Sequence, residues 1–470
     1  MRKTKEPFGF SRHAIKIVWV GFVFLLLSAE RPVQAQDSCP PGLLPGTTCV
    51  SGQDIHGAFF LIAVPASYSG QLVLWNHGYS LTAPAPLATA DLVPGAPVLL
   101  ELGFAVAASS YRPDAIGLGG WAVRDGAEDT ENLRRRFVEI FGRPVQTFII
   151  GASEGGLITE EMVERFGRDE DGRPNYDGAL SACGVLAGAR RHWEGAFDQR
   201  VVYQYYCQNL PRANELQYPL YFGLAPNNTL TANDVAARVN ECTGVAQPPA
   251  TRTPQQTQNL ANLIGVLKIP ESALLSDLVG VPFTMQELVL VRTAGLNPFT
   301  NLGVHYSGST DDAALNQGVY RAGENDAAED FLERAYDPNG HIHHTPVLTT
   351  HTIGDPVVFV EQENAYRDTL EDIHRLRDLQ QNYVNASGHC QFTFSEALAS
   401  FQALLSWVET HMRPTREEVA GLCKQNALIF GDTCNYNLTF RPQELDTRIP
   451  NRRSDEREED RSSKEREEHH

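Results

Sequence analysis

Residues 148–159 read FIIGASEGGLIT, and the fold turns on whether Ser153 is a nucleophile or an ordinary serine in a glycine-rich loop. The run from Gly151 to Gly155 matches G-x-S-x-G, but a chain with 38 glycines also produces such matches by accident. Context decides. VQTFII, directly before, has the make-up of a buried strand, and LITEEMVERFG, directly after, is helical in pattern. A serine on a sharp turn between two such elements needs glycine at 151 and 155, because a Cβ at either position would collide with the turn. Gly156 then lets the helix lie close to the strand. The stretch predicts a nucleophile, Ser153, presented where a strand gives way to a helix.

A serine hydroxyl attacks a carbonyl efficiently only when a histidine takes its proton and an acid orients that histidine. From 56 to 182 the chain alternates apolar runs (AFFLIAVP, QLVLWNHG, FAVAASSY, QTFIIGAS, DGALSACG) with helical stripes such as Leu133, Phe137, Ile140 and Phe141. That rhythm predicts a mostly parallel sheet flanked by helices, an α/β fold. It breaks after Val185 and returns at TPVLTTHTIGD (345–355). A helical stretch over about 359–377, a strand at LQQNYV (379–384) and a closing helix at SEALASFQALLSWVETHM follow. Asp355 ends the first of these strands, and His389, in NASGHCQF, comes just after the second, each behind a glycine. The order Ser153, Asp355, His389 is the one expected when nucleophile, acid and base sit at the carboxyl ends of successive strands.

With these residues the chain resembles a secreted α/β-hydrolase of the serine esterase kind, carrying a large inserted lid. The resemblance covers about 56–185 and 345–415. It implies a Ser153–His389–Asp355 triad and an acyl-serine intermediate, with no cofactor and no metal. It also implies two backbone donors for the oxyanion: the N–H of Glu154, and that of Tyr79 after LVLWNHG, with Gly78 the alternative. The Glu154 side chain is expected to face solvent or the pocket rim. His389-Cys390 is further similar to tannases and feruloyl esterases, in which cysteines beside the serine and histidine are bridged; here Ala152, not cysteine, precedes Ser153. Cys183, at the end of the next strand, could instead reach Cys390 and brace the histidine loop, leaving Cys207 and Cys242 as a possible pair. The other outcome is that Cys390 pairs elsewhere or stays a buried thiol.

Several residues compete for these roles. Asp311, Asp312 and His305 fall in the insertion, Glu361 falls in the helix beyond a strand end, and His351 lies within TTHT, in the core or behind the site. HIHH (341–344) lacks a matching carboxylate or cysteine pattern, so it reads as pocket edge or loop rather than a zinc site. Tyr203, Tyr205, Tyr206, Tyr218, Tyr221 and Trp193 either face the cleft or build the insertion's own core. Tyr111 and Arg112 follow another strand and border the pocket. Asn227, Asn385 and Asn437 head N-x-S/T triplets, which matter where the host glycosylates.

The remaining composition sets the organisation and the compartment. Residues 1–35 begin with a basic segment, continue through the apolar IVWVGFVFLLLSA and end in Val33-Gln34-Ala35, the pattern of a signal peptide. The apolar run is too short to span a bilayer, which needs about 20 residues. Removing that segment takes six of 39 basic and two of 58 acidic residues, leaving 33 and 56, a formal charge of −23. Such a surface repels nucleic acid and anionic lipid, and disfavours a strongly anionic substrate unless one local patch is basic.

Eight cysteines suit a secreted or periplasmic protein, with Cys39-Cys49 and Cys423-Cys434 closing short loops. The expected division is a catalytic domain in two parts, 36–185 and 341–445, a lid over 186–340, and a charged, disordered tail over 446–470. The substrate implied is a small-molecule or polymeric ester, with no nucleic acid and no stable membrane insertion. A serine peptidase on the same fold and a catalytically inactive binding protein are the alternatives.

Overall fold

The computed structural model describes residues 39–452, so residues 1–38, which include the expected signal peptide, and residues 453–470 lie outside the described residues. Eight strands pair into one sheet: β1 (Thr48–Gln53), β2 (Phe59–Val64), β3 (Gln71–Asn76), β4 (Ala105–Ser109), β5 (Gln146–Ala152), β6 (Gly178–Ala182), β7 (Val347–Gly354) and β8 (Leu379–Ser387). Their order is β1-β2-β4-β3-β5-β6-β7-β8. β2 runs antiparallel to β1 and β4, and every other pairing is parallel. This is the α/β-hydrolase order, with one reversed strand second in the sheet. The parallel pairings follow from the helical crossovers that return the chain to the same edge after each strand.

Helices cover both faces. α1 (Ala96–Glu101) joins β3 to β4, α2 (Val123–Phe141) joins β4 to β5, and α3 (Glu154–Phe166) joins β5 to β6. Phe148, Ile150, Leu180 and Leu348 of the sheet are buried with Phe104, Phe401, Leu404 and Trp407 in one core. β5 sits at mid-sheet with helices on both sides, so its FII run is buried throughout and carries no alternation of polar residues.

Between β6 and β7 lie six helices: α4 (Gly188–Cys207), α5 (Ala232–Thr243), α6 (Pro254–Leu267), α7 (Glu271–Glu287), α8 (Asp312–Gly318) and α9 (Asp326–Tyr336). α7 continues through a π-helical turn, Leu288–Arg292. After β7 come α10 (Gln362–Asp372), then β8, α11 (Phe394–Thr410) and α12 (Arg416–Phe430). α5, α6, α11 and α12 each start on a threonine whose side chain accepts the N3 amide while the N3 Asp, Gln or Glu returns a bond.

β1, α1 and α12 are among the elements absent from the sequence reading. β1 is a short edge strand, TCVSGQ, with little apolar patterning, and it exists through pairing with β2. α12 holds the region read only as a disulfide-closed loop; its start signal is the pair Thr415 and Glu418. The expected tail is also corrected, because residues 446–452 are packed against the body. Ile449 is buried, Arg448 bonds Glu361 at 3.1 Å, and Arg452 pairs with buried Asp198. Two basic side chains find partly or fully buried carboxylates there, which net composition does not reveal.

Candidate active site

Ser153 stands between β5 and α3 with φ 59° and ψ −127°, a conformation that side-chain-bearing residues rarely adopt. The glycines around it are required by contact. A Cβ on Gly151 would run into the Gly155 carbonyl, and one on Gly155 into the carbonyls of Asn76 and His77. On Gly156 it would come within 2.5 Å of Ser181 Oγ and 2.6 Å of Gly184 Cα. Asn76, buried at the end of β3, ties the neighbourhood together: its amide donates to Thr159 on α3 and its oxygen accepts from Thr130 on α2, both at 3.0 Å.

Three strand ends bring their side chains to one point. Asp355, just past β7, is buried, and its Oδ1 accepts the amides of Val357 and Val358 at 2.9 Å each. Its Oδ2 lies 2.8 Å from His389 Nδ1, and His389 Nε2 lies 2.7 Å from Ser153 Oγ. With the imidazole proton on Nδ1 facing the carboxylate, Nε2 is left as an acceptor for the serine hydroxyl. The loop bearing His389 is braced by a Cys183–Cys390 disulfide, which starts at the end of β6 rather than beside the serine. Cys39–Cys49, Cys207–Cys242 and Cys423–Cys434 are bridged as well.

Behind Asp355 sits a second buried pair. His351 Nδ1 is 3.1 Å from Glu363 Oε1, and its Nε2 is 2.9 Å from the Val358 carbonyl and 3.7 Å from Asp355 Oδ2. Glu363 Oε2 accepts from Thr349 Oγ1 at 2.6 Å and Gln381 Nε2 at 2.7 Å. Burial opposes a charge on His351, yet the bond to Glu363, the charges of Glu363 and Asp355 and the Val358 carbonyl outweigh it and raise its pKa. His351 is therefore far from Ser153 in role, facing the back of the acid.

On the other side of Ser153, a Cβ on Gly78 would lie 3.1 Å from Ser153 Cβ and 3.5 Å from its Oγ, so this backbone passes directly by the hydroxyl. His77 holds the segment from behind: its Nδ1 is 2.7 Å from the Gly78 carbonyl, and its ring stacks on Tyr111 at 4.0 Å. The Tyr111 hydroxyl donates to the His77 carbonyl at 3.1 Å. Tyr111 is thus a buried support, and Arg112 is taken up by Asp129, with Nε to Oδ1 at 2.9 Å. The Tyr79 hydroxyl reaches Glu287 of α7 at 3.5 Å.

The Glu154 side chain departs from its expected exposure. It is buried, accepts the Ala122 amide, and is pushed up to about 8 by burial. The sharp turn at Ser153 sends the first residue of α3 inward, toward the start of α2.

Farther along α3, Glu160 and Glu164 are also buried and raised to about 8, by burial above all. Such carboxyls keep a proton in the folded chain that the unfolded chain loses near pH 4.5, so their contribution to stability falls as pH rises toward 8. Half-buried His192, lowered to about 4 by desolvation and the charge of His389, acts only below pH 6.5, so it leaves the alkaline side untouched. The unfolding temperature is expected to fall between pH 6.5 and 8.5. Glu160→Gln should flatten that fall in a thermal-unfolding series across this range.

The competing residues go elsewhere. Asp311 caps α8 and Asp312 accepts from Ser309, while Glu361 pairs with Arg448. His341 turns to Asn339, His343 to the Glu164 carbonyl and His344 to Arg375 and Arg377, so HIHH does not converge. Tyr203 bonds Asn209 inside the insertion and Tyr218 bonds Arg200.

Two residues electrostatically coupled to Asp355 were missed by sequence reasoning: His192 on α4 and Asp277 on α7. Asp277 is raised to about 7 by burial and then by Asp355. The signal available was Trp193 beside His192; Trp121 and His192 lie with rings parallel and 6.1 Å apart, and Trp193 packs edge-on to both.

No protein-family model and no curated protein matches the chain. Solved structures do. An esterase from Aspergillus oryzae is 13% identical, with 78% of this chain and 80% of that one covered and a TM-score of 0.42. Tannin acyl hydrolase from Aspergillus niger is 13% identical, with 78% and 79% covered and a TM-score of 0.37. The acylaminoacyl peptidase of Pyrococcus horikoshii is 8% identical, with 86% and 44% covered and a TM-score of 0.37. At these values the likenesses assign no substrate to this chain.

Proposed function

We propose that the protein is an exported carboxylic-ester hydrolase working through an acyl-serine. The observation that carries this reading is the unbroken relay from Ser153 Oγ to His389 at 2.7 Å and from His389 to Asp355 at 2.8 Å. His389 Nε2 takes the hydroxyl proton as Ser153 Oγ attacks the ester carbonyl. The developing oxyanion is held by the Glu154 amide and by that of Tyr79, or Gly78, whose backbone runs beside the serine. The imidazolium then protonates the departing alcohol, and water, deprotonated by the same nitrogen, releases the acid. Four disulfides accord with export to an oxidising compartment.

In this reading His351 and Glu363 are positioning residues. Glu363 fixes the His351 ring, whose Nε2 lies 2.9 Å from the carbonyl of Val358, the residue whose amide donates to Asp355 Oδ1. Glu363→Gln loosens that hold, so kcat should drop about tenfold with KM nearly unchanged, and Glu363→Asp should recover part of the loss. A drop in kcat matched by a lower unfolding temperature and not recovered by Glu363→Asp would mark a merely structural role.

The reading is tested on a panel of p-nitrophenyl and aryl esters, polyesters and peptide amides, against wild type and Ser153→Ala. Turnover of esters but not peptides, lost in the variant, is the expected result. Peptide cleavage would turn it to a peptidase, and failure of a fluorophosphonate to label folded protein would make it a binding protein.

A further inference from the structure

The acidic chain carries a strongly basic cleft. A cavity of about 530 Å³ opens at the amino end of edge strand β8, lined by Arg367, Arg377, Arg413, Arg416 and Arg441, with Glu417 as its one acidic residue. Leu379–Gln381 form its floor, whereas His389 follows the far end of the same strand. At about 3.3 Å per residue the cleft lies roughly 25–30 Å from the triad, so it is no extension of the ester site.

Two of its arginines, Arg413 and Arg416, are held in place by carbonyls that bring no full negative charge. Arg413 Nη1 donates to the Leu376 and Leu379 carbonyls at 2.9 and 3.0 Å. Arg416 donates to the Gln381 and Phe440 carbonyls at 2.9 and 2.7 Å, and its guanidinium lies over the Tyr383 ring at 4.7 Å. Arg377 has Asp378 at 3.7 Å, but that carboxylate also serves His344 at 3.4 Å and Arg375 at 3.9 Å. Arg367 and Arg441 form no ion pair with any described residue.

Several arginines elsewhere are answered by carboxylates: Arg112 by Asp129, Arg238 by Glu215, Arg292 by Asp125 and Glu287. Burial lowers the pKa of Arg416, and the nearby charge of Arg441 pushes the same way. Like charges so gathered repel one another unless an anion sits among them. Guanidinium groups match oxyanions in shape, offering paired N–H donors to paired oxygens. The volume exceeds what a single small ion needs, and five cations call for several negative charges.

We propose that this cleft binds a multiply charged oxyanion bearing phosphate or sulfate groups. The site is independent of the ester reading. Calorimetric titration of the whole protein at about 25 mM salt, with inorganic tripolyphosphate and separately with sucrose octasulfate, tests it and tells the two chemistries apart. At least one should bind with a Kd below about 1 mM, weakening about tenfold or more at about 500 mM salt. The double variant Arg367→Gln/Arg441→Gln removes two exposed side chains that form no salt bridge within 4 Å of another described residue, so its unfolding temperature without ligand should match wild type. Its affinity should fall at least about tenfold. Arg334→Gln, at an exposed arginine of α9, should bind as wild type does. No binding of either anion up to about 10 mM, or undiminished binding by the double variant, overturns the proposal.

Discussion

Ser153→Ala and His389→Ala should each lower ester turnover by about 10³-fold or more, with little change in unfolding temperature. The serine hydroxyl supplies the bond-forming oxygen and the imidazole moves its proton in both half-reactions, so removing either stops the same step. The double variant should be hardly worse than the single ones, because residues acting as a unit are not additive. Asp355→Asn should lose about 10²- to 10⁴-fold. Its amide would turn an N–H toward His389 Nδ1, or hold the imidazole in the tautomer that cannot accept from serine. Steady-state kinetics on one aryl ester, with thermal unfolding alongside, checks all three. A near-normal rate for His389→Ala would end the assignment of the base.

Gly155→Ala should fail differently, in folding before chemistry. Its added methyl would meet the backbone carbonyls of Asn76 and His77, which belong to the end of β3 and cannot move without unseating the mid-sheet strand pair. Backbone clashes of this kind cost about 3 kcal/mol or more, against the fraction of a kilocalorie that glycine to alanine gains in an open helix. The unfolding temperature should drop by roughly 5 °C or more, or soluble protein should be lost. Gly280→Ala on α7 is the control, since nothing lies within 4 Å of its added carbon. A stable, fully active Gly155→Ala would mean the turn is looser than its contacts state.

How much was legible follows from the range of the forces involved. Strands β2 to β6 announce themselves as largely apolar runs because both faces are covered, whereas β7 and β8 carry buried Thr, His, Gln and Asn. Ser153, Asp355 and His389 could be put in order because parallel crossovers leave successive strand ends along one edge. The elbow glycines were readable for the same local reason that makes them necessary. β1 was hidden, since an edge strand takes its structure from its partner rather than from its own side chains. The burial of Glu154 was hidden too, as a carboxylate next to a serine looks exposed until α2 and α7 close over it.

The sequence by itself determined the alternation of strand and helix, the turn at Ser153 and the chain order of its partners, since these depend on residues a few positions apart. Only the tertiary structure decided which cysteine braces His389, that His351 and Glu363 stand behind Asp355, and that five arginines from three separate stretches converge. Contacts between residues far apart in the chain depend on how the layers stack, and no local pattern encodes that stacking.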